Sequence, residues 1–217
     1  MLAQRQTPKY PYFDLLEIVA DFDLHRKNFK PLKPVRSGNI LPGFSLNRDN
    51  NRWQHFFNGA ETHGPILLRQ LLSKPLTLFF YSVHWKDHGI DLLKTLNALQ
   101  YEIKANGGNL LIISAEKTEQ LEKIVWDNSL SLNFYHDPNH DIARQLRIFS
   151  EEDPAWNKFS GVDANVPLPA TYVLSASGQV LFAHTDVEPK GAYPAKDVVA
   201  AVYQAALPEN HRVYLSA

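Results

Sequence analysis

The pattern of apolar and polar residues in the middle of the chain predicts strands and helices in alternation. Residues 76–81 (LTLFFY) form a continuous apolar run of strand length, which is typical of a strand buried on both faces. Residues 109–114 (NLLIIS) form a second run of this kind. The intervening segment ends at the Gly107-Gly108 helix stop. Its apolar residues recur at helical spacing: Ile90, Leu93, Leu96, Leu99 and Ile103.

The same alternation continues through the next 35 or so residues. A helix is predicted over 118–128 and a short strand over 132–136 (LNFYH). Asp137 and Pro138 then suggest a helix start, with the aspartate as N-cap and the proline at the first helical position. Three strand–helix units in a row indicate a parallel sheet with crossover helices.

The last part of the domain has a different pattern. Residues 171–174 and 179–184 flank the turn sequence 176–178 (ASG), which predicts an antiparallel hairpin. A last helix is predicted over 194–206. Parallel units followed by a hairpin and a helix indicate an α/β protein of thioredoxin-like topology, with a central mixed sheet flanked by helices.

The N-terminal part is predicted to be separate. Residues 12–29 carry apolar positions at helical spacing, and 31–42 hold three prolines and a glycine, as a linker does. The expected organisation is therefore a helical extension with its linker over 1–37 and one main domain over 38–217. The aromatic residues near the N-terminus either form a partner-binding or dimer surface or cover their own domain: Tyr10, Tyr12, Phe13, Phe22, Phe29, Trp53, Phe56 and Phe57.

Composition excludes several classes of function. The chain contains no cysteine, which rules out disulfides, thiolate metal sites and cysteine nucleophiles. A formal net charge of −1 favours neither nucleic acid nor an anionic membrane as partner. No apolar run approaches the roughly 20 residues that span a bilayer, and the N-terminus lacks the apolar core of a signal peptide. A cytoplasmic protein is the expectation.

Four segments together resemble the peroxiredoxin-like AhpC/TSA (redoxin) family of the thioredoxin-fold superfamily. Gly38, Pro42, Phe44 and Leu46 match G-x-x-x-P-x-F-x-L, and 80–89 (FYSVHWKDHG) is similar to F-Y-x-x-x-W-C-x-x-C. Residues 132–148 resemble L-x-F-x-x-x-x-D-P-x-x-x-x-A, and 167–174 (PLPATYVL) resemble P-x-P-A-T-[FY]-V-I, with further matches over 178–186. The resemblance implies the thioredoxin fold and, in the family, thiol-dependent peroxide reduction.

The chain departs from that family where its chemistry takes place. After Trp85, both cysteine positions of the motif are replaced, by Lys86 and Gly89. Ser175 stands where the family has an aspartate, and 187–191 lack the tyrosine and arginine of a D-Y-x-x-R segment. Peroxide reduction requires a thiolate that becomes a sulfenic acid. The thiol cycle is therefore closed to this chain.

The degenerate turn has two interpretations. A helix N-terminus attracts anions, so His84, Lys86, Asp87 and His88 are candidates for binding a small acidic ligand. The alternative is a decayed active site in which Lys86 reaches solvent.

Histidines give a second hypothesis, a metal site. His84 and His88 are four residues apart, as are His136 and His140, and aspartates lie between them. Both pairs follow parallel strands, at the sheet edge where α/β folds bind ligands, and imidazole with carboxylate suits zinc. The pattern does not show that the two pairs converge.

Two further features have weaker support. Pro169 matches the position at which thioredoxin folds carry a cis proline, so the resemblance implies a cis Leu168–Pro169 bond. Ser82 or Ser114 with a histidine would formally supply a Ser-His-Asp arrangement, but no nucleophile-elbow glycines surround either serine.

These observations lead to two hypotheses of different class. The first is a non-catalytic binding or scaffold module, with no cofactor, acting on an unknown protein partner or as a homodimer. The second is a repurposed turn that binds a metal or a small acidic ligand. An antioxidant or oxidoreductase activity would be inherited from the resemblance alone.

Overall fold

A computed structural model describes five stretches of the chain, namely residues 31–41, 43–46, 66–116, 118–186 and 192–207. The helix predicted over 12–29 and the divergent segment 187–191 lie outside them, as do the aromatic residues of the N-terminal region. The predicted boundary between 1–37 and 38–217 stays a prediction. Among the described residues, no helix is both long enough and apolar enough to cross a membrane.

The core of the fold is a five-stranded mixed sheet with strand order β5-β4-β3-β6-β7. Its strands are β3 Leu76–Tyr81, β4 Asn109–Ser114, β5 Phe134–His136, β6 Ala170–Leu174 and β7 Val180–Thr185. A separate two-stranded pair consists of β1 Ser45–Leu46 and β2 Ile66–Leu67. The helices are α1 Leu68–Leu71, α2 Lys86–Ala105, α3 Thr118–Asp127, α4 Asp141–Gln145 and α5 Ala195–Ala206.

Strand β3 lies at the centre of the sheet because it is apolar on both faces. It pairs in parallel with β4 on one side and antiparallel with β6 on the other. All six of its residues are buried. The predicted α/β class, the parallel units and the C-terminal hairpin are confirmed.

Alternate residues of the strands build two separate cores. Leu78 and Phe80 face a layer made by α1, α4 and the loops that precede β6. Phe79 and Tyr81 face the opposite layer, where α2, α3 and α5 pack side by side. Crossover helices α2 and α3 lie on the same face because right-handed β–α–β connections place them there.

One helix start differs from the prediction. Asp137 does not cap a helix beginning at Pro138, since α4 begins at Asp141. A turn closed by the bond from His140 N to Asp137 O intervenes, and His140 takes the left-handed conformation (φ 57°). The Asp137 carboxylate still accepts hydrogen bonds from the helix, at 3.0 Å from the backbone nitrogens of Asp141 and Ile142. The aspartate thus satisfies the helix end across a longer turn.

The expected cis peptide bond is also wrong. No described peptide bond is cis, so Leu168–Pro169 is trans, the isomer favoured by about 0.5–1 kcal/mol for X–Pro bonds. Its neighbours fix the path of the chain here, because Leu168 N donates to Ile148 O and Pro169 O accepts from Asp186 N. The family implication therefore does not transfer at this position.

The stretch before β1, residues 32–41, runs along the sheet domain as an arm with a turn at 36–39. Leu32 N donates to the Asp153 carboxylate at 2.7 Å, and Val35 N donates to Leu146 O at 3.0 Å. Gly38 N then donates to Val180 O at 2.8 Å, at the outer edge of the sheet. The arm is therefore bonded to the domain at several points along its length.

Candidate functional site

The turn between β3 and α2 is held by a buried tryptophan. Trp85 ends a short 3₁₀ turn, Val83–Trp85, and its side chain is 5% exposed. The indole Nε1 donates to Pro167 O at 3.0 Å, and the ring packs edge-on against Phe159 at 5.1 Å between centroids. The loop before β6 is therefore packed directly against this turn.

A glutamate from the next strand fastens the turn from the other side. The Glu116 carboxylate, just after β4, accepts from the Ser82 hydroxyl at 2.6 Å and from Val83 N at 3.2 Å. Ser82 Oγ in turn accepts from His84 N. Sequence reasoning missed Glu116, since it lies 34 residues from Ser82 and nothing local marks it. Ser82 thus caps the 3₁₀ turn with its oxygen and donates its hydroxyl hydrogen to Glu116. Among the described residues, no histidine side chain bonds this hydroxyl, as a Ser-His-Asp arrangement would require.

Gly89 lies in a tight part of the turn, where a side chain would press on its neighbours. A Cβ placed there would lie 3.0 Å from both Trp85 Cβ and Tyr81 Cε2. The Tyr81 hydroxyl is buried without a hydrogen-bond partner among the described residues. Burial, reinforced by the negative charge of Glu116, raises the pKa of Tyr81 well above its usual range. Gly89 therefore packs in the interior of the fold, against a tyrosine that stays uncharged.

Lys86 has an unusual backbone conformation. Its φ of 51° and ψ of −135° lie in a region that L-residues other than glycine rarely enter. Its side chain is exposed, so no buried contact of that side chain explains the conformation. The backbone strain is set by the junction between the 3₁₀ turn and α2.

Lys86→Gly is expected to raise the free energy of unfolding by about 0.5–1 kcal/mol, since glycine relieves strain of this kind and loses only part of that gain to chain entropy. Asp87→Gly is the matched control at the next helical position, where φ is not positive. It should lower stability by about 0.5–1 kcal/mol, because glycine is a poorer helix former and the carboxylate of the first turn is lost. Chemical denaturation of the full chain measures both. A loss for Lys86→Gly similar to that of the control would show that position 86 is unstrained.

Each of the two histidines of the turn is paired with a distant aspartate. His84 Nδ1 lies 2.7 Å from Asp163 Oδ1, at an exposed position in the loop before β6. His88 Nε2 lies 2.7 Å from Asp186 Oδ2, at a half-buried position next to the end of β7. The pairs lie on either side of Lys86 in sequence and connect the turn to two different loops.

These pairs weaken the hypothesis of an acidic ligand. Both imidazoles already have a carboxylate partner, and Asp87 places a further negative charge in the first turn of α2. The hydrogen bond from His84 lowers the pKa of Asp163, and the positive charge of Lys86 adds a smaller effect in the same direction. An incoming anion would therefore compete with carboxylates already in place.

The structure does not gather the predicted metal ligands. His136 Nε2 lies 3.3 Å from Ala115 O, and His140 stacks on Phe149 at 4.1 Å between ring centroids. His84 and His88 are committed to separate aspartates. No three His, Asp or Glu side chains of the described stretches form a group that could hold a metal ion. The metal site stays a prediction without an assembled ligand set.

The pKa values of His140 and Asp137 are shifted in opposite directions from their ordinary values. Burial lowers the pKa of His140, partly offset by the nearby Asp137 charge. Burial also raises the pKa of Asp137, against the lowering effect of its hydrogen bonds from Ile142 and Asp141. Both groups are thus biased towards their neutral forms in the folded state.

Acidification is expected to destabilise the fold through His140. Because its folded pKa is lowered, the unfolded chain binds the proton more readily, and stability falls as pH drops through about 6.5, the ordinary histidine value. Asp137 has the opposite effect on stability, because its folded pKa is raised and its protonation therefore favours the folded state. This effect occurs at lower pH, close to the ordinary value for aspartate. The test is the NMR titration of the His140 ring, with His140→Asn, which suits a left-handed residue, as the variant that should lose less stability between pH 8 and 5.5. A His140 titration midpoint at or above 6.5 would contradict this expectation.

Comparisons with known proteins place the chain among proteins of the same fold. The sequence profile of the AhpC/TSA family matches residues 38–183. Peroxidoxin BcpB from Mycobacterium tuberculosis superposes with a TM-score of 0.55 at 16% identity, covering 77% of this chain and 96% of that one. The bacterioferritin comigratory protein of Xanthomonas campestris superposes with a TM-score of 0.53 at 20% identity, covering 66% of this chain and 87% of that one. The Plasmodium vivax 2-Cys peroxiredoxin superposes with a TM-score of 0.52 at 14% identity, covering 78% of this chain and 81% of that one.

At these identities the structural likeness shows the fold alone, which is thioredoxin-like. No curated protein sequence matches the chain significantly.

Proposed function

Because the chain belongs to the AhpC/TSA family and contains no cysteine, we propose that it is a non-catalytic binding or scaffold module. The main support for the proposal is the sequence of the turn, in which Lys86 and Gly89 replace the two cysteines of the family motif. The module acts on a protein partner, and no cofactor takes part.

The missing element is sulfur, for which no other side chain substitutes. Peroxide reduction proceeds by attack of a thiolate on the peroxide bond, which oxidises the sulfur to a sulfenic acid that a second thiol then reduces. A lysine ammonium and a glycine hydrogen supply neither the nucleophile nor the resolving thiol. Met1 is the only sulfur-containing residue of the chain, and a thioether forms no thiolate.

The architecture around the turn supports a scaffold role. The Trp85 indole is hydrogen-bonded and packed, and the Glu116 carboxylate closes the turn from β4. Gly89 fits tightly against Tyr81. These interactions stabilise the turn without any thiol, so the fold persists as a framework for binding.

The test is a hydroperoxide consumption assay with hydrogen peroxide and an alkyl hydroperoxide, using dithiothreitol or thioredoxin as electron donor. The wild-type chain is expected to consume no more peroxide than a heat-inactivated sample. Catalytic consumption above that background would refute the proposal.

Lys86→Cys is the matched variant, because it returns one thiol to the exposed end of the turn without adding bulk at Gly89. On peroxide treatment the variant is expected to gain one oxygen atom at position 86 as the sulfenic acid, or two or three as the sulfinic or sulfonic acid, read by mass spectrometry of the peptide that contains this position. The wild-type chain treated in parallel should show no modification at position 86. Oxidation of the variant but not of the wild type would show that the turn still exposes position 86 to peroxide and that only the sulfur atom is missing.

A further inference from the structure

Strand β7 is one of the two edge strands of the sheet, and the N-terminal arm covers only its first half. Val180 exchanges two backbone hydrogen bonds with the arm, giving its N–H to Asn39 O and accepting from Gly38 N, each at 2.8 Å. The Ser37 hydroxyl adds a bond to Leu181 O. Beyond Ser37 the arm turns away, because Val35 N bonds to Leu146 O instead.

The second half of β7 points unpaired backbone groups outwards. Asp186 N donates to Pro169 O, and the register places Thr185 opposite Ala170 and Ala183 opposite Tyr172. Since successive residues of an antiparallel pair direct their backbone groups to opposite sides, the N–H and C=O of Ala183 and Thr185 point away from β6. Within the stretches that the structure describes, these groups have no backbone partner.

A cleft opens at this place between the arm and the strand. Its volume is about 400 Å³, within the range of ligand sites in proteins. Its lining consists of Pro34, Val35, Arg36, Ser37, Ala183 and Thr185. The two β7 residues of the lining are the same two whose backbone groups face outwards. The cleft thus exposes a strand edge on one wall and a short apolar stretch with a cation on the other.

We propose that this edge binds an extended, acidic peptide segment of a partner protein, which adds to β7 as a further strand. Main-chain bonds to Ala183 and Thr185 supply the pairing, as in other cases of strand addition. Arg36 selects a carboxylate: its side chain is exposed, no ion pair of it occurs among the described residues, and guanidinium groups bind carboxylates in a bidentate manner. The inference names the partner class for the proposed binding role.

The experiment uses the ¹⁵N-labelled full chain and two blocked octapeptides of alternating valine and threonine. One peptide carries a central glutamate and the other a lysine at the same place. The glutamate peptide is expected to shift the amide signals of Ala183 and Thr185 and to slow their exchange with solvent. It should bind about threefold more tightly than the lysine peptide, as exposed ion pairs allow. Arg36→Glu should reverse that order.

A backbone variant tests the strand addition itself. Ala183→Pro removes an outward N–H but no bond to β6, which edge strands tolerate, and it should weaken binding about fivefold, the effect of one hydrogen bond. Ala183→Val keeps the N–H and should bind as the wild type does. If the proline variant does not fold, the charge reversal at Arg36 still decides the matter.

Three results would overturn the inference. One is the absence of amide shifts at Ala183 and Thr185, and another is equal binding of both peptides by wild type and Arg36→Glu. The third is that these amides shift with protein concentration in the absence of peptide, which would make a second copy of the chain the occupant. None of these outcomes bears on the peroxide assay, so the two proposals fail independently.

Discussion

Replacing Gly108 with alanine is expected to lower the free energy of unfolding by about 2–3 kcal/mol, the upper part of the range for overpacked cores. The added Cβ would lie 2.6 Å from Val202 Cγ1, and 3.2 Å from Ile103 Cγ2. Both neighbours are fully buried, and a branched valine has few alternative rotamers. Helix α5 would have to move away from the connection between α2 and β4, in which Gly108 lies.

The matched control is Gly43→Ala, because a Cβ there meets no atom of the described residues within 4 Å and φ is not positive. This variant should equal the wild type or exceed it by up to about 1 kcal/mol. Urea denaturation with unchanged m-values gives both differences. Equal stability of the two variants would mean that α5 does not approach Gly108 as closely as described.

Lys158→Met should lower the free energy of unfolding by about 2–3 kcal/mol, because it leaves a buried carboxylate without its counter-ion. Asp153 is 3% exposed, and its carboxylate bonds both the Lys158 ammonium and Leu32 N. Lys158 itself is about one-third exposed, so solvent screens part of the interaction. The expected loss of stability is therefore smaller than the roughly 3–5 kcal/mol for breaking a fully buried pair.

Glu151→Gln provides the comparison at an exposed pair. Arg144 and Glu151 form a two-point contact at 2.6 Å, yet both side chains are largely in solvent. The loss there should be less than about 1 kcal/mol. Adding Asp153→Asn to Lys158→Met should restore part of the stability, since the uncompensated charge is then gone. No recovery in the double variant would show that Lys158 acts through packing of its stem.

The sequence predicted the parts of this fold that are governed by local pattern. The run 76–81 could be recognised as a strand buried on both faces because it is a continuous apolar run. The helix before Gly107-Gly108 could be recognised because Leu93, Leu96 and Ile103 recur at helical spacing. The family likeness placed the degenerate turn at Lys86 and Gly89. Each of these predictions depends on residues close together in sequence.

The rest depends on contacts between distant residues, which no local pattern encodes. His84 and His88 find Asp163 and Asp186 at separations of 79 and 98 residues. Glu116 caps a turn that belongs to another strand. Asp137 was recognised as a capping residue, but the left-handed His140 lengthens the turn and shifts the helix start. Tertiary geometry sets each of these features.

The central position of β3 has a consequence for the order in which the chain folds. Its parallel neighbour β4 begins 28 residues after β3 ends, but its antiparallel neighbour β6 is complete only at Leu174. While the ribosome is still synthesising residues 115–169, one side of this apolar strand therefore has no partner from the sheet. Long-range pairing of this kind slows folding and leaves an aggregation-prone edge open during synthesis. Chaperone demand should accordingly peak in that interval and fall once the C-terminal hairpin emerges.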